Sequence, residues 1–229
     1  MSHELRTPIN VIQGYTAMLK DKVMGELTQD QEKALGKIWN ESKDLLSMVE
    51  SILYATHVEI QSAKVENREL NPIGFLKDIK SNYDIPLNKD LTLRWEYPSE
   101  LPVIKTDTDK LRRILVNLVN NAIKFTDRGE ITVTAQYCPE PKALEFKVID
   151  TGIGIPEESI PMIFEKFYQA DSSDRRLYGG IGLGLYIVKT YTEILGGQVK
   201  VESKLDKGSV FTVTIPTEAL LSEPRQSGF

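Results

Sequence analysis

Asn117 and Asn121 stand four residues apart and Lys124 three further on, within a stretch from Asp109 to Phe125 of helical periodicity, so the three side chains share one helix face. Amide oxygens suit a hard cation such as Mg2+, and an ammonium beside them suits phosphate. Asn117, Asn120 and Asn121 could equally form a solvated face, although asparagine is a poor interior helix residue. Farther on, Val148-Ile149-Asp150-Thr151-Gly152-Ile153-Gly154-Ile155-Pro156 carries an aspartate from an apolar run into a glycine turn. A carboxylate there can accept from an exocyclic amine such as that of adenine, while glycines let backbone approach a ring. A plain Asp-Thr-Gly turn is the alternative. The dinucleotide fingerprint is excluded, because Pro156 and Glu157 follow where a third spaced glycine and a helix start are required.

Gly179-Gly180-Ile181-Gly182-Leu183-Gly184-Leu185 opens the next helical stretch. Backbone amides at a glycine-rich helix start attract anions such as phosphate. The same glycines could hinge the polar stretch Gln169 to Tyr178 as a lid, or serve chain geometry alone. No phosphate loop ending in Gly-Lys-Ser or Gly-Lys-Thr occurs, so a nucleotide site here is of another kind. At the opposite end lies Ser2-His3-Glu4-Leu5-Arg6-Thr7-Pro8. Pro8 cannot donate the helical hydrogen bond to Glu4 and crowds that carbonyl, so a bent turn around His3 is expected. Glu4 can hold one ring N–H and leave the other nitrogen as a nucleophile, with Thr7 one turn along the same face. A surface histidine near a frayed terminus is the bland alternative, and His57 is read that way. With two histidines and one cysteine there is no zinc-type cluster.

These residues need two kinds of framework. Leu5, Ile9, Ile12, Leu19 and Val23, then Leu35, Ile38, Leu45, Val49 and Ile52, mark two amphipathic helices broken at Met24 to Leu27, with Thr28 and Gln31 as a capping box at the second start. Two helices cannot bury both stripes alone, so pairing with a second copy into a four-helix bundle, a homodimer, is expected. After Lys64 the pattern changes to alternating strands at 91–95, 131–135, 144–148, 198–202 and 209–215. Between them run helices after the Asn71-Pro72 cap, over 108–125, and over 182–195 before Gly196-Gly197. The expected fold is an α helical hairpin at 1–66 joined to a two-layer α/β sandwich with a mixed, largely antiparallel sheet at 67–217. A tail at 218–229 is expected to fray.

Length and 41% hydrophobic content allow one or two domains with real cores, and the net charge of −5 gives no basic surface for nucleic acid. No apolar run approaches the roughly 18 to 20 residues of a membrane span, and the lone Cys138 fits a reducing compartment.

Taken in order, the motifs resemble those of the transmitter core of a two-component sensor histidine kinase. Ser2 to Pro8 is similar to the family's phosphoacceptor box, Asn117 to Thr126 to its asparagine box, and Asp150 to Gly154 to its first glycine box. Ile163-Phe164-Glu165-Lys166-Phe167-Tyr168 resembles the phenylalanine box, and Gly180 to Leu185 the second glycine box. The resemblance covers Ser2 to about Pro216. It implies a Bergerat-type ATP-binding fold, shared with heat-shock chaperone, gyrase and mismatch-repair ATPases, and a hairpin presenting His3 as phosphoacceptor. By that resemblance Glu4 is the base and Thr7 orients water in a reverse, phosphatase reaction. ATP and Mg2+ would be held by Asn117, Asn121, Lys124, Phe125, Asp150, Gly152, Gly154, Ile155, Lys166, Phe167, Gly180, Gly182, Leu183, Gly184 and Leu185, with Asn121 on the metal. Ile181 stands where threonine is commoner, and Lys166 where arginine is common, which keeps charge but loses the bidentate fork.

The implied activity is ATP-dependent autophosphorylation of His3 and transfer to an aspartate of a response-regulator receiver domain. The alternatives are a phosphatase-biased transmitter and an ATP-binding scaffold without kinase activity. Family members continue the first helix upstream into a sensor or linker, so an upstream region before His3 is expected. A cytoplasmic location is implied for this core, whether or not the full protein is membrane-anchored.

Overall fold

The computed structural model describes residues 2–61, 65–83, 89–169 and 182–217. The expected tail, Gly180, Ile181 and nearly all of the expected lid lie outside these. Two helices come first, α1 (Ser2–Lys20) and α2 (Gln29–Gln61), and α1 runs through Pro8 without interruption. The capping box forms as its residue types require: Thr28 N–H donates to Gln31 Oε1 at 2.8 Å and Gln31 N–H to Thr28 Oγ1 at 3.3 Å. Across the hairpin the Lys20 ammonium sits 5.5 Å from the centre of the Trp39 ring. Ile9 is buried, whereas Ile12, Ile38 and Leu45 of the same periodic stripes remain 45%, 47% and 48% exposed.

The second region is a two-layer sandwich. Its five-stranded sheet contains β2 (Asp90–Glu96), β4 (Arg128–Cys138), β5 (Ala143–Asp150), β6 (Gln198–Lys204) and β7 (Gly208–Pro216) in the order β2-β4-β5-β7-β6. Only the β2–β4 pair is parallel; the other neighbours are antiparallel. Alternation along the strands turns Ile131, Val133 and Ala135, then Leu144, Phe146 and Val148, then Phe211, Val213 and Ile215 to one face. There they meet apolar stripes of α3 (Pro72–Lys80), α4 (Thr108–Phe125) and α5 (Gly184–Ile194). A separate antiparallel pair, β1 (Arg68–Leu70) with β3 (Ile104–Thr106), was not expected. Three residues are too few to display a period.

The helix ends follow their chemistry. Asn71 Oδ1 accepts from the N–H groups of Ile73 and Gly74, with Pro72 in the first turn. At the end of α5, Gly197 N–H bonds the Thr192 carbonyl and Gly196 N–H that of Glu193, a Schellman closure with Gly196 at φ 73°.

Candidate functional site

α4 buries Leu111, Leu115, Leu118 and Ala122 against the sheet, which sets the azimuth of everything else on the helix. Asn117, Asn121 and Lys124 fall on the adjoining half-buried side. Asn120 points elsewhere: its Oδ1 accepts from the Tyr83 hydroxyl at 3.1 Å, and burial pushes that hydroxyl up to about 12, so it stays a donor. Asn117 donates its amide N–H to the Arg113 carbonyl at 2.8 Å. Its oxygen faces the first residue of α5, where a Cβ added to Gly184 would lie 3.1 Å from Asn117 Oδ1 and 3.9 Å from Asn121 Nδ2. A Cβ there would crowd the Asn117 oxygen and lie in ordinary contact with the Asn121 amide. Among the described residues no side chain caps the start of α5, and its first amides bring the positive end of the helix dipole to the same region.

Asp150 ends β5 and is buried. Its Oδ1 accepts from Gly152 N–H at 2.9 Å and from Ser209 N–H at 3.2 Å, while no described residue donates to Oδ2. Burial raises its carboxyl above the usual range, against the opposing pull of those two N–H groups. The turn that follows lies on the end of α4. A Cβ on Gly152 would come within 2.3 Å of the Phe125 carbonyl oxygen, and Ile153 N–H donates to that same oxygen at 3.2 Å. One glycine thus lets α4 and the Asp150 turn touch, placing the amide face and the buried carboxylate on adjoining segments.

Two family descriptions match this arrangement in chain order. The His Kinase A (phospho-acceptor) domain matches residues 1–59, and the histidine kinase-, DNA gyrase B-, and HSP90-like ATPase matches residues 106–219. The chain belongs to the histidine kinases. It is 37% identical to the circadian input-output histidine kinase CikA of Synechococcus elongatus over 99% of this chain and 31% of that protein. It is 38% identical to the autoinducer 2 sensor kinase/phosphatase LuxQ of Vibrio vulnificus over 95% of this chain and 26% of that one. The chain therefore spans less than a third of the length of these curated relatives. Among solved structures, full-length ShkA in complex with AMPPNP superposes with a TM-score of 0.74 at 30% identity, over 94% of this chain and 44% of that one.

Within this transmitter core the expected site residues separate. Asn117, Asn121, Gly184, Phe125, Gly152 and Asp150 come together as described. Lys124 places its ammonium 4.7 Å from the Phe125 ring centre. Leu183 is a core residue, and Leu185 and Ile155 pack against the core. At Gly152 and Gly154 the space a Cβ would need belongs to the chain itself. For Gly154, at φ 69°, it is filled by the Lys204 carbonyl. Phe167 is exposed in a left-handed conformation, its N–H on the Gly182 carbonyl at 3.1 Å, and Lys166 reaches the Tyr186 ring of α5 at 4.9 Å. Thr7 is exposed on α1, while the side chains of His3 and Glu4 lie outside the described ones.

Sequence reasoning missed the serines behind Asp150. Ser203 Oγ accepts from Ile155 N–H at 2.9 Å, donates to the Gly208 carbonyl at 2.9 Å, and lies 3.0 Å from Ser209 Oγ. It also missed Thr126, whose buried Oγ1 has no partner among the described residues. The β5–β7 register pairs Asp150 with Ser209, and the β6–β7 register pairs Ser209 with Ser203.

Proposed function

We propose that this chain is the kinase core of a two-component system, phosphorylating His3 from ATP and passing the phosphoryl group to an aspartate of a response-regulator receiver domain. The observation that carries this is the amide pair Asn117/Asn121 set against the start of α5, with buried Asp150 at the end of β5 just before the turn that meets α4. Residues 1–66 act as the dimerising phosphoacceptor hairpin and 67–217 as the ATP-binding domain.

Asp150 presents its Oδ2 to the exocyclic amine of adenine. The amides opening α5 and the Lys124 ammonium oppose the phosphate charge. The described residues hold no group of three or more acidic, histidine or cysteine side chains that could cage a metal. Amide oxygens nonetheless fit Mg2+, which arrives with phosphates and keeps much of its water. Asn121 would hold that ion, which supplies charge neutralisation at the phosphates. An imidazole nitrogen of His3 attacks the γ-phosphorus, the P–N bond forming as the bond to the bridging β–γ oxygen breaks and ADP leaves; Glu4 takes the ring proton. Phosphatase action through Thr7 is the second reading, favoured by the likeness to a relative described as a kinase/phosphatase.

The test is incubation with γ-labelled ATP. Label lost in acid, kept in alkali, absent from His3→Gln and reduced at least 100-fold in Asn121→Ala is the expected result. Acid-stable label, or normal labelling of Asn121→Ala, overturns the assignment.

A further inference from the structure

α4 is held at both ends by charges whose signs oppose its dipole. At its start Asp107 Oδ1 accepts from Lys110 N–H at 3.1 Å, and Oδ2 accepts from the Lys110 ammonium and, at 3.1 Å, from Glu66 N–H. At its end the group in charge is Lys89, which comes from the segment just before β2 and plays no part in the site as described above. Its side chain is only 16% exposed. The ammonium donates to the carbonyls of Ile123 at 2.6 Å, Lys124 at 3.1 Å and Thr126 at 3.0 Å, with Asp127 Oδ1 3.2 Å away.

The last carbonyls of a helix have no partner within it, and an ammonium offers three protons in a converging cone. Here three carbonyls receive them. The same segment is also held by the turn that follows Asp150, because the Phe125 carbonyl accepts Ile153 N–H. Lys89 and that turn therefore hold one short strap, 123–127, which joins the end of α4 to the turn that follows Asp150.

We propose that Lys89 is a positioning residue for the nucleotide site: by fixing the strap it sets the spacing between Asn121 and Lys124 on one side and Asp150 on the other. This rests on the nucleotide reading given above. A ligand that reaches both sides at once feels the spacing. One that reaches a single side does not.

Lys89→Met keeps the apolar stem and removes all three donors. In the full chain with Mg2+, titration calorimetry should show ATP binding weakened about tenfold, the effect of losing charge-assisted hydrogen bonds. Adenosine, which spans only the Asp150 side, should bind by NMR titration within about twofold of wild type, since no contact of its own is lost. In the autokinase assay the loss should fall on the KM for ATP, with kcat at saturation little changed. Lys89→Arg keeps the charge, but its planar fork cannot converge on three carbonyls, so ATP affinity should lie between the other two. That variant also serves if Lys89→Met does not fold. Equal weakening of ATP and adenosine would reveal a general loss of folded domain and overturn the proposal, as would unchanged ATP affinity in both variants. A wild-type chain that binds adenosine but not ATP, or neither, overturns the nucleotide reading and this proposal with it.

Discussion

α4 lays Leu111, Leu115 and Leu118 on a five-stranded sheet, and all three are shut off from solvent; α2 carries Ile38 and Leu45 two turns apart on one stripe, and both stay nearly half exposed. Both helices are amphipathic, α4 the more strongly, and they differ in what their own chain offers them. A sheet supplies the second layer of a core within one chain, whereas the hairpin helices have each other and, for α2, a small contact with α5. The sandwich should therefore owe its stability to its own contacts. The hairpin should owe its stability to a second copy, and so to concentration.

The largest expected effect comes from breaking the self-sufficient side. Phe146 is fully buried in β5, between β4 and β7. Phe146→Ala should cost about 3–5 kcal/mol through lost transfer energy and a cavity. Denaturant unfolding should show that loss in the sandwich transition, while sedimentation still finds a dimer. Simultaneous loss of both would show that the two regions melt as one unit, and the comparison would fail.

The converse break is smaller. Ile38→Asp puts a charge on the stripe left open in a single chain, twice per dimer by symmetry. The dimer should weaken by roughly 100-fold, as expected for an interface centre. ATP binding should stay within about twofold, because Ile38 is an exposed hairpin residue and not a member of the sandwich core. A variant still dimeric at wild-type dilution would mean that this stripe faces something other than a second hairpin.

The same contrast governs what could be read from sequence. The hairpin is local: periodicity gave its helices, and Thr28 with Gln31 its cap. Longer strands were legible because alternation over residues such as 144–148 has one physical cause, a single buried face. The arrangement of the site was less so, since its decisive contacts join residues far apart in the chain. Lys89 meets Ile123 34 residues on, Glu66 meets Asp107 41 residues on, and Asp150 meets Ser209 59 residues on. Types and spacing marked Asn117 and Asn121 as candidates because asparagine is a poor interior helix residue, and Asp150 because a carboxylate follows an apolar strand into a glycine turn. They could not show that the Phe125 carbonyl crosses beside Gly152.

The smallest expected effect lies inside the sandwich and has opposite signs for binding and stability. In Asp150→Asn the side-chain oxygen can still accept from Gly152 and Ser209, so the turn keeps its hydrogen bonds. The amide nitrogen then stands where Oδ2 was and offers a donor to adenine's own donor, which should weaken ATP by about tenfold. Stability should move the other way. Burial raises the native carboxyl above its unfolded value of 3.8, so between those two values the native state holds more protons than the unfolded chain. The stability that Asp150 contributes is present below the unfolded value and is lost as pH rises through the raised native one; at neutral pH the ionised, desolvated carboxylate is a net cost. Asparagine carries no such cost. Without nucleotide the variant should melt at or above the wild-type temperature at neutral pH, and the advantage should vanish as pH falls below the window. The hairpin should register neither change. A lower melting temperature at neutral pH would show that the charge itself holds the turn, and unchanged ATP affinity by calorimetry would reduce Asp150 to a turn residue.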